Sequence, residues 1–246
     1  MTIKILIIVP TYNEAGYIDK QLSNLDVIRR KLSEKFDMTI LNVDDSSPDG
    51  TARIARNMEL KNFAQILNER KIGLGPAYLA GFSWGLSRGF DYFVEIDSDG
   101  SHLARELPNL VSACSSYDLV IGSRWIPGGK IENWPWYRVS VSKLGTRYAS
   151  AMLGLPFKDL TSGYRVMSRE FLQSLDLKMI STRGYGFQIE MAFQAYVNGY
   201  AITEVPITFI ERSLGKSKMT LGIVVEAFNY VTKRGFERIF SKYIRR

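Results

Sequence analysis

The sequence has 246 residues, 46% of them hydrophobic and 23% charged. That is enough for one large α/β domain or two small ones, and it excludes wholesale disorder and fibrous repeats. Lysine plus arginine totals 32 and aspartate plus glutamate 25, leaving +7, which points toward an anionic partner: a phosphate, a nucleic acid or a membrane surface.

Lys4 to Val9 form a β-branched run closed by Pro10, as expected of a buried strand. Asn13 and Glu14 open a helical stretch through Leu22, Leu25, Ile28 and Leu32. Residues 38–43 read as a second strand ended by Asp44 and Asp45. A turn over 46–51 leads into a helix over about 52–57. Residues 63–67 are a third strand, 76–87 a helix, and 91–96 a fourth strand that also ends in acids. This alternation predicts a mostly parallel sheet with right-handed crossovers. Ligands of such sheets bind beyond the carboxyl ends of the strands. Thr11 to Glu14, Asp44 and Asp45, and Asp97 and Asp99 are therefore expected at one cleft.

The second half has a different texture. Residues 119–121 read as a strand ending in Gly122-Ser123-Arg124. Gly128-Gly129 and Trp134-Pro135-Trp136 read as a loop able to order over a ligand. Residues 139–153 read as a helix, and 202–210 as a late strand interrupted by Pro206. No stretch reads as a membrane span: 221–231 is broken by Glu226 and Asn229. No signal peptide is read either. Cys114 is the single cysteine; it excludes an internal disulfide and fits a reducing compartment. The expectation is a soluble or peripheral protein whose catalytic face is cytosolic.

From Leu221 to Ile244 apolar residues recur at helical spacing. Between 221 and 246, six basic residues oppose Glu226 and Glu237, leaving +4 of the chain's +7. A basic amphipathic helix of this kind either lies in a membrane interface or docks its apolar face on the domain, and periodicity alone does not choose.

Asp97-Ser98-Asp99 is the sharpest chemical signal. Two carboxylates one residue apart after a buried strand can grip Mg²⁺ or Mn²⁺ between phosphate oxygens, or can be a solvated acidic loop. Tyr12 offers a stacking face, Glu14 and Asp45 acceptors for nucleoside donors; turn and capping roles would use the same residues. Gly73-Leu74-Gly75 lacks the Walker lysine and is read as a close backbone approach. Arg124, Arg138, Arg212, Lys216 and Lys218 are candidate phosphate clamps. His102, the one histidine, is expected to be structural, and Ser-His-Asp hydrolysis is not expected.

Together these motifs resemble the polyprenyl-phosphate (dolichyl-phosphate) mannose synthases of glycosyltransferase family 2, in a short form without C-terminal membrane spans. The matching segments are PTYNE (10–14), VDDSSPDGT (43–51), GLGPAYLAGF (73–82), EIDSDGSH (95–102), IGSRWIPGG (121–129), NWPWYRVSVSK (133–143), DLTSGYRVM (159–167), GYGFQIEM (184–191) and PITFIERSLGKSKM (206–219). They span nearly all of a catalytic domain over 1–220, leaving 221–246 as a basic helical tail.

The resemblance implies a GT-A, Rossmann-like α/β fold. It implies transfer of mannose from GDP-mannose to a polyprenyl phosphate with inversion. Carried over by position, Pro10, Tyr12, Glu14, Val43 and Asp45 would hold the nucleoside. Asp97, Ser98 and Asp99 would meet metal and diphosphate, with Ser101 near the metal. Arg124, Arg212 and Lys218 would bind donor phosphates or sugar, and Arg124, Arg138 and Ser142 the lipid phosphate. Asp99 and Arg124 are the expected catalytic residues. Short members rely on partner membrane subunits or on peripheral attachment, here to the cytoplasmic face. The chain departs from the family in reading D-S-D for D-A-D, in Gly100, and in Pro76. A polyprenyl-phosphate glucosyltransferase using UDP-glucose is the nearest alternative. A non-catalytic nucleic-acid binder is the alternative of another class; it fits poorly with acidic strand ends, and no nucleic-acid partner is expected.

Overall fold

A computed structural model describes residues 2–182, 184–211 and 221–244. Its centre is a seven-stranded sheet: β1 (Ile3–Thr11), β2 (Phe36–Asp44), β3 (Phe63–Leu67), β4 (Tyr92–Glu95), β5 (Leu119–Ser123), β7 (Arg165–Ser168) and β8 (Ile202–Pro206). The order across the sheet is β3-β2-β1-β4-β7-β5-β8. All neighbours are parallel except β7, which runs antiparallel to both β4 and β5. Two short strands, β6 (Lys130–Glu132) and β9 (Thr208–Ile210), pair separately beside it.

The buried run in β1 explains the layering. Ile5, Ile7 and Val9 face one core with α1 (Ile18–Lys31), while Leu6 and Ile8 face the other with α3 (Leu74–Leu86). Both faces are covered, so the strand is apolar throughout rather than alternating. Close approach of α3 depends on Gly81 and Gly85. A Cβ on Gly81 would lie 2.7 Å from Ile8 Cγ2, and one on Gly85 2.6 Å from Leu6 Cδ2. Gly81-Phe82-Ser83-Trp84-Gly85 spells G-x-S-x-G, but it lies inside α3 and Ser83 Oγ donates back to Leu79 O at 2.9 Å. It therefore forms no strand-to-helix elbow.

Three further helices matter to the site. The first, α2 (Thr51–Asn57), follows β2; α4 (Leu107–Ala113) precedes β5; and α5 (Trp136–Leu153) leaves the β6 loop. Cys114 ends α4 and is buried, with Sγ 3.5 Å from Leu110 O. Burial pushes its thiol up to about 12. The expected result is negligible alkylation by iodoacetamide at pH 8 in the native protein and complete alkylation in denaturant, read by mass spectrometry. Rapid native labelling would show that α4 opens. The remaining helices are α6 (Arg169–Ser174), α7 (Tyr185–Val197) and α8 (Leu221–Ile244), and α8 lies against α5 and α7.

Candidate active site

Beyond the carboxyl ends of β1, β2 and β4 lies an open cleft of about 350 Å³, within the range of small-ligand sites. The first half of the chain lines it with Pro10, Tyr12, Glu14, Asp45, Asp97, Ser98, Asp99 and Ser101. The second half contributes Arg124, Trp134, Arg138, Tyr185, Phe209 and Glu211. The acidic strand ends and two of the arginines are thus brought together as expected.

At the β1–β2 end, Lys71 Nζ stands 3.9 Å above the Tyr12 ring. Asp45 is already engaged: Oδ2 accepts from Ile72 N (3.1 Å) and Gly73 N (2.8 Å), and Oδ1 from Asn68 Nδ2 (2.8 Å). It fastens the start of α3 to the cleft while keeping carboxylate lone pairs for a ligand donor. Pro76 occupies the first turn of that helix, where a missing N–H leaves no helix bond unmade. Glu14 is buried, and its backbone N donates to Thr51 Oγ1 at 2.9 Å. The Val43 side chain sits in the core and does not line the cleft. Asp44 serves structure too, accepting from Thr11 Oγ1 (2.8 Å) and from Ser47.

The acidic loop turns at Gly100, φ 76°, a left-handed conformation that a larger residue would resist. Ser101 N donates to Asp99 Oδ1 at 3.0 Å and tightens the turn. Ser101 Oγ is buried and, among the described residues, has no hydrogen-bond partner. A buried hydroxyl without a partner is costly, so this oxygen beside two carboxylates fits a hard divalent cation. Among the described residues no cluster of three or more His, Cys, Asp or Glu could hold a metal. The fit is therefore to an ion that completes its shell with water and ligand phosphate.

His102 backs the loop. Its Nδ1 lies 3.3 Å from Asp97 Oδ2, and its ring packs on Tyr164 and Phe209. Burial drives its pKa down to about 4, so it is a neutral brace at physiological pH. Beneath it, Glu95 and Arg165 face each other on β4 and β7, both fully buried. Burial pushes Glu95 up to about 7, against the pull of Arg165.

Two arginines, Arg124 and Arg138, line the same cleft as the acids. Arg124 is buried; its Nε and Nη2 donate to Asp159 at 2.7 Å each, and Nη2 also reaches Thr161 Oγ1 at 2.8 Å. Among the described residues Nη1 makes no hydrogen bond, and Arg124 lines the cleft. The guanidinium is framed by Trp125, Trp134 and Phe209 at 5.5–5.6 Å. Arg138 stacks 4.4 Å from Trp134 and pairs with Glu211. Ser142 lies one turn further along α5 and does not line the cleft. Arg212, Lys216 and Lys218 lie outside the described residues.

Asp159, Lys71 and Glu211 were not singled out from sequence. Asp159 and Glu211 fall inside matched segments, but their arginine partners are 35 and 73 residues away.

The sequence model of Glycosyl transferase family 2 matches residues 6–176. "Undecaprenyl-phosphate mannosyltransferase" of Micrococcus luteus is 47% identical over 234 residues, 94% of each chain. "Polyprenol monophosphomannose synthase" of Mycolicibacterium smegmatis is 43% identical over 239 residues, 95% of this chain and 88% of that one. Glucosyl-3-phosphoglycerate synthase from Mycobacterium tuberculosis, solved with Mn²⁺, uridine diphosphate and phosphoglyceric acid, superposes with a TM-score of 0.69. That match covers 94% of this chain and 78% of the other at 19% identity, and it establishes a shared GT-A fold. The chain belongs to glycosyltransferase family 2.

Proposed function

We propose that the protein transfers mannose from GDP-mannose to a polyprenyl phosphate with inversion. The observation that carries this reading is one cleft lined both by the acidic strand ends and by Arg124 and Arg138. The relatives that share 47% and 43% identity over nearly the full chain bear names for this class of reaction.

Tyr12, Glu14 and Asp45 would take the nucleoside, and Asp97, Asp99 and Ser101 would hold Mg²⁺ or Mn²⁺ against its diphosphate. The bound ion would neutralise the charge that builds on the leaving group. A phosphate oxygen of the acceptor attacks the anomeric carbon from the face opposite the diphosphate. The bond from that carbon to the diphosphate oxygen breaks, and its electron pair leaves with GDP. A phosphomonoester is mostly ionised at neutral pH, so no general base is needed. Positioning and charge stabilisation carry the catalysis. Arg124 presents Nη1 to phosphate, and Arg138 exchanges Glu211 for the acceptor phosphate. Arg212 and Lys218 are assigned to donor phosphates by their place in the family motif. Among the described residues no helix is long and apolar enough to cross a membrane, and attachment to the cytoplasmic face is peripheral in this proposal, with or without membrane partner subunits.

The test uses purified protein, a short polyprenyl phosphate, Mn²⁺ and a panel of labelled GDP-mannose, UDP-glucose and UDP-N-acetylglucosamine. Label is expected in the lipid from GDP-mannose alone, and chelator should abolish it. Label from UDP-glucose instead would overturn the donor assignment.

A further inference from the structure

A short loop over residues 68–73 carries Lys71 to the cleft, and it is pinned to the end of β2 from several sides. Asn68 N donates to Asp44 O at 2.8 Å, and Ser46 Oγ donates to Asn68 O at 2.7 Å. Asp45 accepts from the Asn68 amide and from the backbone N–H groups of Ile72 and Gly73. Gly73, at φ 100°, then turns the chain into α3. The backbone on both sides of Lys71 is thus fixed, while its side chain is exposed and lines the cleft.

The ammonium of Lys71 stands over the Tyr12 ring, 3.9 Å from its centroid. Among the described residues no carboxylate pairs with it. Glu14 and Asp45 line the same cleft, yet Glu14 is buried and Asp45 is held by the three donors just named. A cation over an aromatic face at an exposed site is weakly held. It also covers the ring face on which a base would stack. A ligand has only to push it sideways, to the edge of the base, and a flexible four-carbon stem permits that move.

The groups then gathered at that edge discriminate among bases. An ammonium only donates, and carboxylates only accept. Guanine carries two adjacent acceptors, O6 and N7, which a lysine can bridge. Its N1–H and N2 amino group are donors suited to carboxylates. Adenine places an amino donor where O6 would be, against the ammonium. Uracil offers O4 with no second acceptor beside it.

We propose that Lys71 selects a guanine nucleotide: its ammonium leaves the Tyr12 ring for O6 and N7 of the base, and Tyr12 stacks on the base. This rests on the donor reading above and deepens it, by assigning the choice of base to one side chain.

The full chain with Mn²⁺ is titrated calorimetrically with GDP, 7-deaza-GDP, ADP and UDP. Wild type is expected to bind GDP at least about tenfold more tightly than ADP or UDP. Lys71→Met should weaken GDP about tenfold and leave ADP and UDP within about twofold. Lys71→Arg, which can still bridge O6 and N7, should keep the preference. 7-Deaza-GDP lacks one of the two acceptors, so it should bind wild type less tightly than GDP and Lys71→Met equally well. Melting temperatures should match wild type, because Lys71 is exposed. Equal weakening of GDP and UDP in Lys71→Met would overturn the proposal by placing the ammonium on the diphosphate. A wild-type preference for GDP that Lys71→Met leaves intact would overturn it while the donor reading stands. A wild-type preference for UDP would remove the donor reading and this inference with it.

Discussion

Asp99→Ala is expected to lower kcat by about a hundred- to a thousandfold. Asp99 lines the cleft beside Asp97, and its Oδ1 accepts from Ser101 N. Alanine removes both the negative charge and the acceptor that shapes the turn. Asp99→Asn separates the two: an amide oxygen can still accept from Ser101, but the charge is gone. If charge toward a divalent ion and diphosphate is the role, the asparagine variant falls almost as far as the alanine variant. If turn geometry is the role, asparagine rescues. The loop is partly exposed, so both variants should melt within a few degrees of wild type. Turnover titrated with Mn²⁺ gives the second readout. Loss of ion affinity appears as a raised metal requirement, whereas a purely structural defect lowers the plateau alone. Near-normal turnover of Asp99→Ala with either metal would remove the acidic pair from the mechanism.

The first half of the fold was legible because its signals are local. Ile5 to Val9 are apolar on both faces and run into Pro10, and the second and fourth strands end in acids. Boundaries slipped where turn chemistry intervened. Asn13 takes φ 57°, and Tyr17 N and Ile18 N both donate to Glu14 O, so 13–17 is a turn and α1 starts at Ile18. The helix read from Pro76 starts two residues earlier, at Leu74.

The second half was legible mainly through its motif segments. β7 holds Arg165 at 0% exposure, a residue no hydrophobic pattern assigns to a central strand. It is tolerated because Nε, Nη1 and Nη2 donate to the carbonyls of Ser162, Gln188 and Leu160 at 2.9, 2.6 and 2.8 Å. Val43 shows the converse limit. A motif position gives an address, but the side chain there points into the core, so any nucleoside contact would fall to its backbone. Pairings such as Arg124 with Asp159 depend on chain reversal through β5 and β7, and composition carries no trace of them.

The Arg124–Asp159 pair sets the largest expected effect on stability. Both side chains are buried, and three hydrogen bonds to Asp159 come from Arg124 itself, one from its backbone N at 2.9 Å. Burial by itself raises the Asp159 carboxyl, but the Arg124 charge and hydrogen bonds outweigh it and hold the carboxyl below the usual carboxylate range. Asp159→Asn strands a guanidinium among Trp125, Trp134 and Phe209, away from bulk water. Breaking such a pair from one side costs about 3–5 kcal/mol, which for a chain of this size is a drop of roughly 10 °C in Tm. Replacing both partners, as in Arg124→Met with Asp159→Leu, removes the stranded charge and should recover part of that loss, though not turnover, since Arg124 lines the cleft. The pH dependence has a fixed sign. A carboxyl whose pKa is depressed on folding stabilises fully above its unfolded pKa of about 4, and that contribution fades as pH falls through the folded value. The Tm gap between wild type and Asp159→Asn should therefore hold steady from neutral pH down to about 4 and close below it. A gap that widens in acid, or a single variant no less stable than the double one, would mean that the pair is not what holds Arg124 in the cleft wall.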